Sequence, residues 1–170
     1  ISIVGMAARR SDTPEISKQM QKDLFDMILK GRSKQECIDY VSVLIQDIVN
    51  VKILKIKSAQ PSKLNVNVEE YKSQNIPKLR GVRWCNKNLN TKFRAGSKFK
   101  MIYVIHPETN VVCFEEDEDI KVFKIDWKKQ LNKCVFQKIK PIFETVGWKV
   151  DYNTIEDQIN LKLIGQKTLI

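Results

Sequence analysis

The sequence predicts an α+β fold that is mainly α, with a helical hairpin, a long C-terminal helix and a small antiparallel β element. Two observations support this class. Apolar residues recur at helical spacing in two neighbouring segments and again near the C-terminus. Two short apolar runs flank the turn sequence P-E-T-N at 107–110, which is typical of a β-hairpin. With 170 residues, of which 42% are hydrophobic, the chain is long enough for one domain or two small lobes.

The first two helices are predicted to form the hairpin. Asp12 or Thr13 is expected to cap the first helix, with Pro14 at its first position, and Gly31 is expected to end it. The sequence S-K-Q-E at 33–36 is a capping box that begins the second helix. The apolar stripes of the two helices are Ile16, Met20, Leu24, Met27 and Ile28, and then Cys37, Val41, Leu44, Ile45 and Ile48.

The later elements follow from similar patterns. Residues 77–90 are expected to be helical, and residues 99–105 and 111–114 are expected to pair as strands. Asp126 is expected to cap the last long helix and Gly147 to end it. The apolar stripe of that helix is Leu131, Cys134, Val135, Ile139, Ile142, Phe143 and Val146.

The remaining segments are predicted to be extended or irregular. Residues 1–8 and 51–57 read as short strands. Residues 58–76 are polar and contain Pro61, so this segment is predicted to be a flexible linker. The tail at 151–170 is expected to be mobile.

The distribution of charge points most directly to a function. The net charge is +10, and residues 77–100 carry eight basic side chains and no acidic one. Such a one-signed segment favours an anionic partner, and a phosphate backbone is the commonest partner for so basic a chain. The alternatives are a solvated basic face and a surface that meets an acidic protein.

Several side chains are candidates for phosphate contacts. A helix N-terminus that is preceded by basic and hydroxyl side chains can bind phosphate through its unpaired N–H groups. The candidates at the first helix are Arg9, Arg10, Ser11 and Thr13, with Lys18 and Lys22 one turn apart beyond them. The candidates in later segments are Lys78, Arg80, Arg83, Asn86, Lys87, Lys98 and Lys140.

The sequence shows no catalytic constellation, and no metal site or cofactor is predicted for it. It contains no phosphate-binding loop, no dinucleotide-binding glycine motif and no zinc-protease motif. We interpret the single histidine, His106, as a turn residue and the acidic run at 115–119 as a solvated turn. The four cysteines form no C-x-x-C pair, so we interpret them as reduced thiols of an intracellular protein.

Two further expectations concern the whole chain. No run of about 18 apolar residues occurs, so no membrane span and no membrane partner are predicted. The first residue is Ile and not Met, which suggests either a fragment cut from a longer protein or processed ends.

The order of several short motifs resembles the palm-to-thumb junction and the thumb of family B DNA polymerases. The sequence G-M-A-A-R-R-S-D-T-P at 5–14, followed by K-Q-M-Q-K at 18–22, is similar to the strand that leaves the palm and the segment that opens the first thumb helix. P-K-L-R-G-V-R-W-C-N at 77–86 resembles the stretch that approaches the primer–template backbone, and A-G-S-K at 95–98 resembles the turn into the thumb-tip strand. The C-terminal part of the family is similar to residues 113–127, K-P-I at 140–142 and Q-K-T-L-I at 166–170.

This resemblance implies a polymerase thumb-like fold with three parts. They are a palm-derived strand and junction at 1–12, a thumb domain at 13–150 and a C-terminal tail at 151–170. The implied role is to grip primer–template duplex DNA during processive replication. The family's metal-binding aspartates and exonuclease carboxylates lie upstream and are not in this sequence, so the chain is predicted to carry no catalytic residue.

The resemblance also implies partners and a location. The complete polymerase would need Mg²⁺, and its remaining domains, on the same or a separate chain, would be partners. The tail lacks the paired aromatic residues that a sliding-clamp peptide needs, so the clamp stays open as a partner. The expected location is intracellular, in the cytoplasm of a prokaryote or of a virus-infected host cell. A stand-alone nucleic-acid-binding module without sequence specificity and an interaction protein with an acidic partner remain the alternatives.

Overall fold

A computed structural model describes residues 11–153, and it confirms the predicted α+β class. In chain order the elements are α1 (Glu15–Leu29), α2 (Lys34–Val49), β1 (Gln60–Lys63), α3 (Pro77–Asn88), β2 (Lys98–Tyr103), β3 (Val111–Phe114), α4 (Trp127–Leu131) and α5 (Gln137–Thr145). A π-helical turn, Asn132–Phe136, joins the last two helices. Single turns of 3₁₀ helix lie at Lys55–Ser58, Val68–Glu70 and Asp117–Ile120.

Some predictions fall on residues that the structure does not describe. These are the strand at 1–8, the side chains of Arg9 and Arg10, and the tail from residue 154 onward. The predicted boundaries of the three parts stay predictions. Within residues 11–153, no helix has the length and apolar character needed to cross a membrane.

Helices α1, α2, α4 and α5, with the π turn, enclose one hydrophobic core, and we call this part the helical layer. Helix α1 packs against both α2 and α5. Most of the predicted apolar stripes face this core, because a period of 3.6 residues gathers them on one side of each helix. The exceptions at the margin are Met27, Ile28 and Leu44, which are half-buried, and Val146, which is exposed.

The predicted helix ends are largely confirmed. Gly31 has φ +76°, and the N–H groups of Gly31 and Arg32 donate to carbonyls of the last turn of α1, as in a Schellman motif. Ser33 and Glu36 form the predicted capping box. The Asp126 carboxylate accepts a hydrogen bond from the Lys129 N–H at 3.1 Å. Gly147, with φ +75°, ends α5.

The predicted start of α1 is wrong by one residue. Pro14 is the capping residue and not the first helical one, and it makes no side-chain capping hydrogen bond. Thr13 lies buried just before it, with 1% of its surface exposed. The fixed φ of proline suits the position before a helix as well as its first position, so the sequence did not separate the two registers.

A second hydrophobic core lies between α3 and the three strands, and we call this part the sheet layer. The strand order is β1-β2-β3, and both pairings are antiparallel. The predicted hairpin of β2 and β3 is confirmed. Helix α3 packs on β3 through Leu79, Gly81, Val82 and Cys85.

Two predictions for residues 51–76 are corrected by the structure. Residues 51–57 are not a strand, because Val51 ends α2 in a left-handed conformation and the chain then coils into a 3₁₀ turn. The Ile56 N–H of that turn donates to the Asp117 carboxylate at 2.8 Å and not to a neighbouring strand. Residues 58–76 are not a structureless linker. They contain β1 and bury Leu64 and Val68 in the sheet core.

The two layers meet at Gln130, a residue of α4 that is 2% exposed. Its Oε1 accepts a hydrogen bond from the Tyr103 N–H of β2, and its Nε2 donates to the Ser58 carbonyl. Trp127, one turn earlier, contacts both cores. In the helical layer, the Ser17 hydroxyl donates to the Cys134 carbonyl in the π turn, which ties α1 to the C-terminal helices.

Candidate nucleic-acid interface

One face of α3 carries a surface that we call the arginine surface, formed by Arg80, Arg83, Trp84 and Lys87. These positions share one side of the helix, because their spacing follows the helical period and the opposite side is buried against the sheet. They line a depression of about 490 Å³, together with Asn88 and the residues Glu108, Thr109 and Asn110 from the loop between β2 and β3.

Both guanidinium groups of this surface are held by neutral acceptors. Arg83 donates to the side-chain and backbone oxygens of Gln74. Arg80 donates to the Asn75 carbonyl at 2.9 Å and to the Asn110 side chain at 3.4 Å. Neutral acceptors fix the position of a guanidinium without cancelling its charge. Each guanidinium has five N–H donors, so donors remain for a ligand.

A second basic surface, which we call the lysine groove, contains Lys63, Lys78, Lys98 and Lys100. It is a groove of about 880 Å³ along β1, β2 and the start of α3. Lys63 and Lys98 are direct cross-strand partners, and like charges in that relation repel each other. The Lys78 ammonium donates to the Lys63 carbonyl at 3.1 Å, which brings a third positive charge to the same place.

Acidic residues also line the lysine groove, namely Asp12, Glu115 and Glu116. They form no ion pair with its lysines. Across residues 11–153, the ion pairs join Lys30 to Asp26, Arg32 to Glu36, Lys52 to Asp47 and Lys121 to Glu118. No basic residue of 77–100 takes part in any of these. Within the described part of the chain, the segment predicted to bind an anion is therefore free of ion pairs.

The structure separates the other predicted DNA contacts from these two surfaces. Ser11 is exposed and lines the lysine groove. Lys18 and Lys22 lie on α1 in the helical layer, half-buried and exposed respectively. The Lys140 ammonium lies 5.1 Å from the centre of the Tyr152 ring, in the same layer.

Two residues that were predicted to contact DNA are instead buried or hydrogen-bonded within the protein. Thr13 is buried, so its hydroxyl is not available to an external phosphate. The Asn86 side-chain oxygen accepts hydrogen bonds from the Phe93 N–H and the Thr91 hydroxyl, and its amide donates to the Phe93 carbonyl. Asn86 therefore fixes the loop that follows α3.

Some residues of the site were missed by the sequence prediction. Gln74 and Lys63 lie in the segment that was predicted to be a linker, so no element was available to place them. Trp84 lies within the basic segment 77–100, but the sequence did not predict its surroundings. Its ring makes edge-to-face contact with His106 at 5.1 Å and with Phe123 at 6.0 Å between ring centres.

Burial raises the pKa of several titratable groups, both near these surfaces and in the two cores. Burial raises the pKa of Tyr103, which lines the lysine groove, and the positive charge of Arg80 opposes that shift. Burial raises the pKa of the thiols of Cys37, Cys85 and Cys113, and raises that of Cys134 to about 12. These thiols are therefore protonated at neutral pH and are poor nucleophiles. Within residues 11–153, no three His, Cys, Asp or Glu side chains form a group that could hold a metal ion.

The fold is similar to part of a known polymerase. No protein-family model matches the chain, and no curated protein matches it. The solved structure of the family B DNA polymerase from the hyperthermophilic archaeon Pyrobaculum calidifontis matches it with a TM-score of 0.64 and 20% sequence identity. The match covers 82% of this chain and 19% of the polymerase chain. The likeness is one of fold. The chain spans about a fifth of that polymerase. The match supports the fold that the motifs implied, and it does not support the motifs themselves.

Proposed function

We propose that this chain is the thumb region of a DNA polymerase of the family B type and grips primer–template duplex through its phosphate backbone. The observation that carries the proposal is the cluster of basic side chains of residues 77–100 and Lys63, none of which forms an ion pair among the described residues. Lys63 and Lys98 are held opposite each other, and an anion between them would relieve their repulsion.

The physical demands on a thumb agree with these surfaces. A protein that must hold every sequence and allow the duplex to slide needs contacts to phosphates and not to base edges. Lysine ammonium groups in the groove provide such contacts. The fold similarity to a family B DNA polymerase adds support, since it covers most of the chain.

The proposal assigns catalysis to other parts of the polymerase. Those parts, on the same or a separate chain, would bind Mg²⁺, and this chain would raise processivity. The protein would act inside the cell, and the tail is where a sliding clamp would bind if one does.

The test is the binding of the full 170-residue chain to a fluorescent primer–template duplex at several salt concentrations. We expect a Kd of about 10⁻⁴–10⁻⁶ M at physiological salt, with no preference among sequences. The double variant Lys78→Gln/Lys98→Gln should lower the slope of log K against log salt by about one unit per lost phosphate contact.

The matched control is Lys57→Gln/Lys149→Gln. Both of these lysines are exposed and line neither surface. Equal loss of affinity in the two double variants would show that net charge alone drives binding and would contradict an interface in the groove. No binding at low salt would reject the proposal and favour the acidic protein partner.

A further inference from the structure

The depression beside α3 differs from the lysine groove in its chemistry. It brings three cations, those of Arg80, Arg83 and Lys87, around the indole ring of Trp84. A surface that contacts only phosphates needs cations and other hydrogen-bond donors but has no use for an aromatic ring. The indole packs against the sheet core and also lines the depression, so a ligand that offers a flat apolar face as well as negative charge matches this surface.

The position of the indole is fixed by its neighbours. Trp84 is half-buried, and its Nε1 donates to the Glu108 carboxylate at 3.2 Å. The His106 and Phe123 rings meet it at interplanar angles of 64° and 76°. Glu108, the acidic residue that lines the depression, is thus engaged with the indole, and the three cations keep an excess of positive charge there.

The spacing of the cations suits successive phosphates of one strand. Arg83 and Lys87 are four residues apart, which is about 6 Å along the helix axis, and Arg80 lies one turn before Arg83. Gln74 and Asn75 hold the two guanidinium groups in place before any ligand arrives. A basic track that contains an aromatic platform is the arrangement by which proteins bind single strands without sequence preference.

We propose that the arginine surface binds single-stranded nucleic acid, with one unpaired base stacked on Trp84 and the adjacent phosphates on Arg80, Arg83 and Lys87. This inference rests on the proposed function and deepens it. A duplex keeps its bases stacked inside, so the indole contributes only when a strand is unpaired. Duplex would occupy the lysine groove, and an unpaired strand would occupy the depression.

The test compares two single-stranded ligands with the same backbone. The full chain is titrated with a thymidine 12-mer and with an abasic 12-mer, and binding is followed by anisotropy and by tryptophan fluorescence. One stacked base contributes at least about 1 kcal/mol, so the thymidine oligomer should bind at least about fivefold more tightly. It should also quench fluorescence, whereas the abasic oligomer should not.

Variants assign the difference to Trp84. Trp84→Leu should abolish the preference for the thymidine oligomer while leaving abasic binding unchanged, and Trp84→Phe should keep part of the preference. Trp84→Phe should also remove the quenching, since neither Trp127 nor Trp148 lines the depression. Circular dichroism checks the fold of each variant, and the comparison of the two ligands on the unaltered chain needs no variant.

The outcomes separate this inference from the proposed function. Equal affinity of the unaltered chain for the two 12-mers would overturn the stacking site, while duplex binding through the lysine groove would still stand. A preference for thymidine that survives in a folded Trp84→Leu variant would place the stacking elsewhere and would also overturn the inference. Loss of duplex binding with unchanged single-strand binding in the Lys78→Gln/Lys98→Gln variant would support both the proposed function and this inference. Binding of poly-glutamate with no binding of duplex or of either oligomer would reject both in favour of an acidic protein partner.

Discussion

The turn between α1 and α2 in the helical layer and the basic segment 77–100 in the sheet layer treat their positive charges in different ways. In the helical layer, Lys30 pairs with Asp26 at 2.7 Å and Arg32 lies near Glu36 at 3.9 Å, each at a spacing of four residues. In the sheet layer, the basic side chains of residues 77–100 form no ion pair with a carboxylate among the described residues. Exposed pairs like those of the helical layer add at most about 1 kcal/mol each, so their main effect is to balance charge locally.

The contrast shows that the basic residues behind the net charge of +10 differ in whether they form ion pairs. Around the turn between α1 and α2, Lys30 and Arg32 each have an acidic partner one helical turn away. The sheet layer holds cations side by side, with Lys63 opposite Lys98 across two strands. Such an arrangement costs stability in the free protein, and it is therefore expected where an anionic partner offsets the repulsion.

The largest effect is expected at the joint between the layers. Gln130→Met keeps the volume of the side chain but removes both hydrogen bonds, which leaves the Tyr103 N–H and the Ser58 carbonyl buried without their partner. Each such group costs about 1–3 kcal/mol, so we expect the free energy of unfolding to fall by about 2–4 kcal/mol. Urea denaturation followed by circular dichroism measures this change.

The matched control for the joint is Gln137→Met, because Gln137 is an exposed glutamine in the next helix. It should change the free energy of unfolding by less than about 0.5 kcal/mol. Similar values for the two variants would mean that Gln130 does not hold the layers together. Two separate transitions in the Gln130 variant would show that each layer folds as its own unit.

A smaller effect is expected inside the sheet layer, at Gly81. A Cβ atom at this position would lie 2.9 Å from the Cys113 sulfur and 3.3 Å from a Val111 methyl group. Both neighbours are buried in β3, so Gly81→Ala should push α3 away from the sheet and lower the free energy of unfolding by about 1–2 kcal/mol.

The double variant with Cys113→Ala tests the cause of that loss. Removing the sulfur should remove the clash, and alanine then gains about 0.5–1 kcal/mol over glycine within a helix. In the Cys113→Ala background, Gly81→Ala should therefore be neutral or stabilising. The same loss in both backgrounds would contradict a clash between the helix and the strand.

The two layers also differ in how far their sequences predict them. The helical layer was predicted from local rules, since Gly31, the box at Ser33 and Glu36, and the cap at Asp126 each act within a few residues. Strand β1 was missed, because its place depends on pairing with β2 about 38 residues later, and not on its own pattern. Pro61 suggested a loop, yet proline is tolerated on an edge strand such as β1.

The candidate site shows the same limit. The basic residues of α3 were predicted as candidates because they lie in one basic segment, and the helix then places Arg80, Arg83 and Lys87 on one face. The sequence could not show that Asn86 fixes a loop or that Gln74 holds Arg83, since those hydrogen bonds depend on the path of the chain between elements. Composition thus identifies the surface, and the fold decides which of its polar side chains are free.

The smallest expected effect concerns how the helices end, and it has the opposite sign. Helix α2 ends like α1, with hydrogen bonds from the Val51 and Lys52 N–H groups back to its last turn, but the left-handed position is held by Val51 at φ +56°. A β-branched residue is strained there, by roughly 1–2 kcal/mol, and glycine is not. Val51 is 49% exposed, so Val51→Gly loses little burial. The relief of backbone strain, less the greater chain entropy of glycine in the unfolded state, should raise the free energy of unfolding by about 0.5–1 kcal/mol.

The reverse change, Gly31→Ala, should lower the free energy of unfolding by about 1 kcal/mol through conformation alone, because no atom lies within 4 Å of the added Cβ. Urea denaturation of both variants measures the pair, and a loss of stability in Val51→Gly would show that contacts of the valine side chain outweigh its backbone strain.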